Sequence, residues 1–222
     1  MKNFKKLVTL TSAGLLLSAF NPSTMTIFAE ESSDSVETTE SVETTEGAES
    51  EATTEESAES TEEYAFEVET DVINSDEEVI GTATFREDQE GLVTVELELE
   101  GLEEGEFGMH IHETGLATAP DFGDADGHWN PADVDHGINS ETGPHLGDLP
   151  NIVVDSSGEV SGEELLEEAT LAEDAPEGKY SLHNGGQGTA LIVHDGADDY
   201  ESQPTGDAGD RQLGGVIISK SE

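Results

Sequence analysis

The sequence predicts an all-β domain built as an antiparallel sandwich or barrel. Apolar and polar residues alternate over several short segments, most regularly over residues 92–99, which is typical of strands with one buried face. Glycine-containing stretches at residues 88–91 and 101–105 separate these segments as turns do. Many short strands at this spacing favour an antiparallel architecture over alternating strands and helices.

Nine segments carry a strand-like pattern. In chain order they are residues 64–69, 79–85, 92–99, 107–112, 151–155, 159–161, 165–171, 190–193 and 216–219. Residues 163–172 also fit a helix, but we predict a strand at 165–171 because the surrounding segments are strand-like. Two long stretches without this pattern, residues 114–150 and 195–215, are predicted loops.

The N-terminal 29 residues have the layout of a secretory signal peptide. Lys2, Lys5 and Lys6 precede an apolar run at residues 7–20, and Ala29 is small enough for a cleavage site. The run is too short to span a bilayer comfortably. We therefore predict a secreted protein, extracellular or held in the cell envelope, with an uncleaved interfacial helix as the alternative.

Residues 30–63 consist of little besides Glu, Ser, Thr and Ala, with 14 acidic residues and no basic one. Such a segment cannot bury enough apolar area to offset the entropy of ordering it. We predict a disordered acidic linker that acts as a spacer, and its association with a cell wall or surface stays open. The predicted folded domain then spans residues 64–222.

Charge and composition exclude several classes of function. The chain has 53 acidic and 7 basic residues, and residues 64–222 have 39 acidic and 4 basic ones. Nucleic-acid binding of the usual basic kind and binding to anionic membranes are excluded, because both need Lys and Arg. The chain has no Cys, which removes disulfides and thiolate metal sites. Any metal must be held by His and carboxylate.

The histidines lie in a pattern that favours metal binding. His110 and His112 end a predicted strand, and side chains two apart on a strand point the same way, so both can face one ion. His194 ends another apolar strand. The first predicted loop adds three imidazoles and a carboxylate, a set that zinc accepts in tetrahedral geometry: His128, His136, His145 and Asp148.

Six separated motifs contain these histidines and the acidic loop near the C-terminus. They are Gly-Met-His-Ile-His-Glu at 108–113, His-Trp-Asn-Pro at 128–131, His-Gly at 136–137, His-Leu-Gly-Asp-Leu-Pro-Asn at 145–151, Leu-Ile-Val-His-Asp-Gly-Ala-Asp-Asp at 191–199 and Thr-Gly-Asp-Ala-Gly-Asp-Arg at 205–211. In order and spacing these motifs resemble the copper/zinc superoxide dismutase family. The resemblance runs from about Tyr64 to Ser219. It implies an eight-stranded antiparallel Greek-key β-barrel with two long functional loops.

The resemblance also implies two metals and their ligands. The implied copper ligands are His110, His112, His128 and His194. The implied zinc ligands are His128, His136, His145 and Asp148, so that His128 bridges the two metals. Asp198 resembles the family's carboxylate that holds one copper histidine and one zinc histidine by their other ring nitrogens, and we expect it to join His110 and His136. His183 matches no ligand position.

The activity implied by the resemblance is superoxide disproportionation by copper cycling, with zinc in a structural role. Arg211 resembles the arginine that docks the anion beside copper, and Thr205 resembles the threonine that narrows the channel. The family further implies that His128 takes up a proton and gives it to the departing peroxide.

The largest departure from the family is a missing disulfide. Ala117 and Gly214 stand where the family has its two cysteines, and such a bond typically contributes roughly 2–4 kcal/mol. Because the same loop carries the family's dimer contacts, both a monomer and a homodimer stay open. Two alternative functions also stay open: a non-catalytic secreted copper/zinc-binding domain of the same fold, and a structural or adhesive secreted module.

Overall fold

The computed structural model describes residues 64–221, so the predicted signal peptide and acidic linker lie outside the described residues. The strands are β1 (Phe66–Asn74), β2 (Val79–Glu87), β3 (Val93–Leu99), β4 (Gly105–His112), β5 (Asp148–Val154), β6 (Val160–Leu166), β7 (Ala169–Thr170), β8 (Tyr180–Ser181), β9 (Thr189–His194) and β10 (Arg211–Ile218). Two short 3-10 helices lie at Gly123–Ala125 and Asn184–Gly186. Among the described residues, no helix has the length and apolar character needed to cross a membrane.

Eight strands form one antiparallel sheet in the order β5-β4-β9-β10-β1-β2-β3-β6. Its two end strands, β5 and β6, approach each other, so the sheet curls into a nearly closed barrel. The chain skips β6 and β5 on its way from β3 to β4, and it skips β5 and β4 between β6 and β9. These crossovers give Greek-key connectivity and confirm the predicted fold class. The strands β7 and β8 form a separate parallel pair.

The alternating pattern decides which side chains fill the barrel. In β4, Met109 and Ile111 belong to the main core. Because neighbouring residues of a strand point to opposite faces, His110 and His112 lie on the outer face of the same strand. In β9, Leu191 and Val193 face the main core in the same way, which leaves His194 on the outer face.

The outer face of β9 is nevertheless buried. Ala190 and Ile192 pack in a second apolar cluster with Phe122 and Ala125. The latter two residues belong to the segment between β4 and β5, residues 113–147, called the first loop below. The segment between β9 and β10, residues 195–210, is called the second loop. The first loop therefore covers the barrel wall from which His110, His112 and His194 project.

The prediction of one strand over residues 165–171 is wrong. β6 ends at Leu166, a turn follows, and β7 covers only Ala169–Thr170. Side chains bind this segment where a neighbouring strand would otherwise pair with it. The buried Glu87 carboxylate accepts hydrogen bonds from Thr170 Oγ1 at 2.9 Å and from the Leu171 amide at 2.7 Å. The Lys179 ammonium donates to the carbonyls of Gly91, Glu167 and Ala169.

Both predicted loops end earlier than expected. β5 begins at Asp148 instead of residue 151, and β10 begins at Arg211 instead of residue 216. Pro150 in one strand and the Gly214-Gly215 pair in the other break the pattern by which strands are recognised. Proline is tolerated here because β5 is an end strand of the sheet.

Candidate metal centre

Four buried imidazoles meet on the outer face of the barrel. They are His110 and His112 from β4, His128 from the first loop and His194 from the end of β9, here called the four-histidine cluster. One nitrogen of each lies within 4.8 Å of the others. The spacing predicted that the two strand histidines point the same way, and the pairing of β4 with β9 brings the third alongside.

Hydrogen bonds fix which nitrogen of each ring faces the cluster. The outward nitrogens have partners: His110 Nε2 meets Asp198 Oδ2 at 2.8 Å, His112 Nδ1 the Asp126 carbonyl at 2.8 Å, His128 Nδ1 Asp148 Oδ1 at 2.8 Å, and His194 Nδ1 the Gly209 carbonyl at 3.1 Å. The inward nitrogens are buried and have no hydrogen-bond partner among the described residues: His110 Nδ1, His112 Nε2, His128 Nε2 and His194 Nε2.

A buried polar atom without a hydrogen-bond partner costs free energy. Four such atoms that face the same point therefore indicate a shared partner. A cation that accepts four imidazole nitrogens satisfies all four at once. Nitrogen donors in a tetragonal set suit copper, and each ring is held at its other nitrogen, which fixes its tautomer and orientation. The residues present therefore fit copper.

A second group, here called the carboxylate cluster, consists of His128, His136, His145 and Asp148. The Asp148 carboxylate is its centre, with the Nδ1 atoms of His128, His136 and His145 at 2.8, 2.9 and 3.1 Å. The contact of His136 lacks the alignment of a hydrogen bond, so its Nδ1 is also a buried unpaired atom. Three imidazoles and one carboxylate make a donor set that fits zinc.

His128 belongs to both clusters. Its Nδ1 meets Asp148 in the carboxylate cluster, while its Nε2 is one of the unpaired nitrogens of the four-histidine cluster. Its ring lies against that of His110, with the centroids 4.0 Å apart. A single imidazole therefore reaches both candidate metal positions.

The buried carboxylate of Asp198 joins the two clusters from behind. Its Oδ2 lies 2.8 Å from His110 Nε2, and its Oδ1 lies 3.0 Å from His136 Nε2. Gly206 makes room for this carboxylate: a Cβ there would lie 1.8 Å from Asp198 Oδ1. The structure thus places Asp198 between the two histidines that the resemblance named.

Burial and charge set the protonation of the rings. Burial lowers the pKa of His110 to about 4, against the raising effect of Asp198, and it also lowers the pKa values of His112, His128 and His194. Burial opposes charge on His136 as well, but the carboxylates of Asp148 and Asp198 outweigh it and raise its pKa to about 9. At neutral pH the four-histidine cluster is neutral and ready to bind a cation.

The two carboxylates stay ionised. Burial disfavours charge on Asp148 and Asp198, but hydrogen bonds from the neighbouring imidazoles outweigh it and hold both pKa values well below the ordinary range. The backbone amides of Gly137 and Tyr200 strengthen the effect by donating to Asp148 and Asp198 respectively.

Arg211 lies next to the four-histidine cluster. It is the strand partner of His194, and its Nη2 donates to the Asp126 carbonyl that also accepts from His112. Its Nη1 donates to the Phe122 carbonyl. Burial lowers the pKa of its guanidinium, against the raising effect of the carboxylates of the first loop.

Arg211 opens onto a cavity of about 380 Å³ between the two loops, lined also by Pro120, Asp121, Gly209 and Asp210. We call this cavity the mouth. Thr205 lies half-buried in the second loop, and its role in a channel stays a prediction. His183 belongs to neither cluster, as the sequence predicts.

Sequence reasoning missed Asp126 and Phe122. Their main-chain carbonyls hold His112 and Arg211, and a carbonyl leaves no signal in the residue type. The one available hint was Phe122 itself, an aromatic residue in a predicted loop, between Asp121 and Gly123.

Known proteins resemble this chain in sequence and in fold. A sequence model described as copper/zinc superoxide dismutase matches residues 79–217, which contain both clusters and Arg211. Superoxide dismutase (Cu-Zn) 2 of Aquifex aeolicus is 43% identical over 148 residues, 66% of this chain and 84% of that protein. Superoxide dismutase-like protein YojM of Bacillus subtilis is 33% identical over 167 residues, 71% of this chain and 79% of that protein. A crystal structure of a SOD-like protein from Bacillus subtilis, 29% identical, has a TM-score of 0.62 and covers 67% of this chain and 97% of that one.

Proposed function

Because the chain belongs to the copper/zinc superoxide dismutase family, we propose that it disproportionates superoxide to oxygen and hydrogen peroxide. The observation that carries this proposal is the position of Arg211. It lies beside the four unpaired nitrogens and opens onto the mouth. A cation next to a metal position disfavours metal binding on electrostatic grounds, so its presence is explained by an anion that binds there.

Bound copper would supply the redox chemistry, taking one electron from a first superoxide and giving one to a second, while zinc would hold the loop without redox work. Arg211 attracts the anion by its charge and orients it by the N–H donors in the plane of its guanidinium. The second superoxide needs two protons to leave as hydrogen peroxide. His128 would hold one of them at Nε2 while that nitrogen carries no metal, and solvent would supply the other. Asp148, 2.8 Å from His128 Nδ1, keeps the ring in place.

The second candidate function is a non-catalytic copper/zinc-binding domain. Its support is that a relative in Bacillus subtilis, and a solved structure from the same species, are named as superoxide dismutase-like. A domain that only stores or displays metal needs the two ligand clusters, but it does not need Arg211 at the mouth. A structural or adhesive module needs neither clusters nor arginine, so it explains the fewest of these contacts.

Reconstitution separates these candidates. The purified protein, loaded with zinc alone or with zinc and copper, is analysed for metal content and then for loss of superoxide. We expect one zinc and one copper per chain, and rapid superoxide loss only with copper. A protein that binds both metals and stays inactive would instead be a metal-binding domain.

We propose further that the protein is exported. The support is the pattern of residues 1–29, with three lysines before an apolar run. N-terminal sequencing of protein recovered from the culture medium or cell envelope tests this, and a mature chain starting near residue 30 is expected. An intact N-terminus on protein found inside the cell would contradict it.

A further inference from the structure

We propose that the side chain of Phe122 positions Arg211. In this chain the Phe122 ring anchors the first loop to β10, in place of the missing cross-link between residues 117 and 214. Phe122 is a positioning residue in this proposal, because it acts on the mouth only through the hydrogen bond between its main-chain carbonyl and Arg211. This inference depends on the proposed function in one respect only, namely that Arg211 binds an anion.

The first step is how firmly the ring is held. Phe122 is fully buried, although it lies in a loop, and packs with Ala190 and Ile192 on the outer face of β9. It also lies directly on the backbone of β10: a Cβ at Gly214 would be 2.7 Å from Cδ1 of the ring. The ring therefore ties the first loop to the two strands that carry His194 and Arg211.

The second step is the link from the ring to the guanidinium. The Phe122 carbonyl accepts a hydrogen bond from Arg211 Nη1. Phe122 has a φ of 50°, in the left-handed region that residues other than glycine rarely adopt. Such a conformation persists only where the surroundings hold it. The buried ring supplies that hold, and the carbonyl direction depends on it.

The third step is the space that the ring occupies. A Cβ at Gly214 would lie 3.1 Å from Ala117 Cβ and 3.0 Å from Cε1 of Phe122. Disulfides join Cβ atoms about 3.5–4.5 Å apart, so residues 117 and 214 are close enough for a cross-link after a small shift. The Phe122 ring and a disulfide between residues 117 and 214 would occupy the same space, and this chain has the ring.

Arginine reactivity tests the proposal without metal or superoxide. The chain has Arg86 and Arg211 within the described residues, and Arg86 is an internal control because it is held by Glu67 and Glu96 instead. In Phe122→Ala, phenylglyoxal should modify Arg211 about tenfold faster, the change expected when one hydrogen bond to a charged group is lost. Arg86 should react at its original rate. Phe122→Leu, which keeps an apolar anchor, should restore most of the protection of Arg211.

Anion binding gives the second readout. In copper-loaded protein, azide affinity followed by absorbance should fall about tenfold in Phe122→Ala, by the same loss of one charged hydrogen bond. In the Arg211→Ala background, Phe122→Ala should cause no further loss, since a residue that acts only through Arg211 has nothing left to position.

A cross-link supplies the rescue and keeps the test valid if Phe122→Ala alone is poorly folded. Phe122→Ala combined with Ala117→Cys and Gly214→Cys should protect Arg211 when the pair is oxidised and lose that protection when it is reduced. Equal acceleration at both arginines, additive effects in the azide cycle, or unchanged Arg211 reactivity in Phe122→Ala would each overturn the proposal. A copper-loaded protein that binds azide in this way but does not consume superoxide would overturn the proposed function alone.

Discussion

At the scale of single residues, the site is decided by which nitrogen of each imidazole is free. In the four-histidine cluster every ring is held at its outward nitrogen, by a carboxylate in two cases and by a main-chain carbonyl in two. The family resemblance implied all four residues, whereas the spacing alone indicated only that His110 and His112 point the same way. Neither could predict the free nitrogens, because the carbonyls of Asp126 and Gly209 that select them carry no signal of residue type.

The protonation of His136 predicts how zinc uptake depends on pH. Its pKa is raised from 6.5 to about 9, so the charged ring contributes stability to the metal-free protein that is fully present below pH 6.5 and lost as the pH rises through about 9. Zinc binds the neutral ring. We therefore expect the first equivalent of zinc to displace about one proton from His136 at pH 7 and none from it above about pH 10.

Calorimetry in buffers of different ionisation heat measures this release. The variant His183→Ala, which changes a histidine outside both clusters, should behave as the unaltered protein does. Zinc uptake whose proton release is the same at pH 7 and pH 10 would contradict the prediction.

Arg211 should affect the rate without affecting the metals. Arg211→Ala is expected to lower the superoxide rate severalfold or more with both metals still bound, because the side chain contacts no metal ligand through its charged group. Arg211→Glu should be slower still, since repulsion replaces attraction. The measurement is superoxide consumption at equal metal content, with Arg86→Ala as the matched control. Full activity in both Arg211 variants would remove this residue from the mechanism.

At the scale of elements, two strands supply the rigid part of the site and two loops complete it. β4 and β9 hold three of the four imidazoles, and their alternating pattern could be read from the sequence. The conformation of the 165–171 segment could not, because side chains outside it, Glu87 from β2 and Lys179 from the following loop, bind its backbone. Periodicity identifies the faces of a strand, but it does not reveal where a side chain replaces a strand partner.

The first loop should depend on zinc for its order. Asp148 contacts three imidazoles and accepts hydrogen bonds from the amides of Gly137 and His145. Asp148→Ala should therefore lower zinc affinity by more than the roughly 10–100-fold typical of losing a supporting partner of a ligand. Copper binding should weaken too, because the shared His128 loses the partner of its Nδ1.

Metal analysis with hydrogen exchange over residues 113–147 measures both effects. The contrasting variant is His194→Ala, which removes a ligand of the four-histidine cluster only and should lose copper while zinc is nearly retained. An Asp148→Ala protein with full zinc and a protected first loop would show that the loop is ordered by other contacts.

At the scale of the whole molecule, the charge opposes the substrate. Residues 64–222 carry 39 acidic and 4 basic residues, a net charge of −35, and the mouth places Asp121 and Asp210 beside Arg211. Superoxide is an anion. The distant field therefore repels it, and only Arg211, with the metal, attracts it at short range. This charge balance and the acids of the second loop were readable from the sequence, whereas the position of Asp121, from the first loop, at the same cavity was not.

This balance predicts an unusual salt dependence. The Debye length is about 10 Å at 0.1 M salt, so added salt removes the distant repulsion first and leaves the close attraction largely in place. The second-order rate should stay flat or rise between low and molar salt. Deleting residues 30–63, with their 14 acidic residues, should raise the low-salt rate slightly. A rate that falls steeply with salt would reveal a local positive funnel stronger than the overall field.

In the proposed function, the four-histidine cluster holds a copper that turns over superoxide. Stopped-flow mixing of zinc- and copper-loaded protein with a large excess of superoxide tests it most directly, with oxygen and peroxide measured as products. We expect many turnovers per copper, one oxygen and one peroxide for every two superoxide ions, full activity in His183→Ala and none in His194→Ala. Consumption of no more than one superoxide per copper, or equal rates in the two histidine variants, would contradict the account.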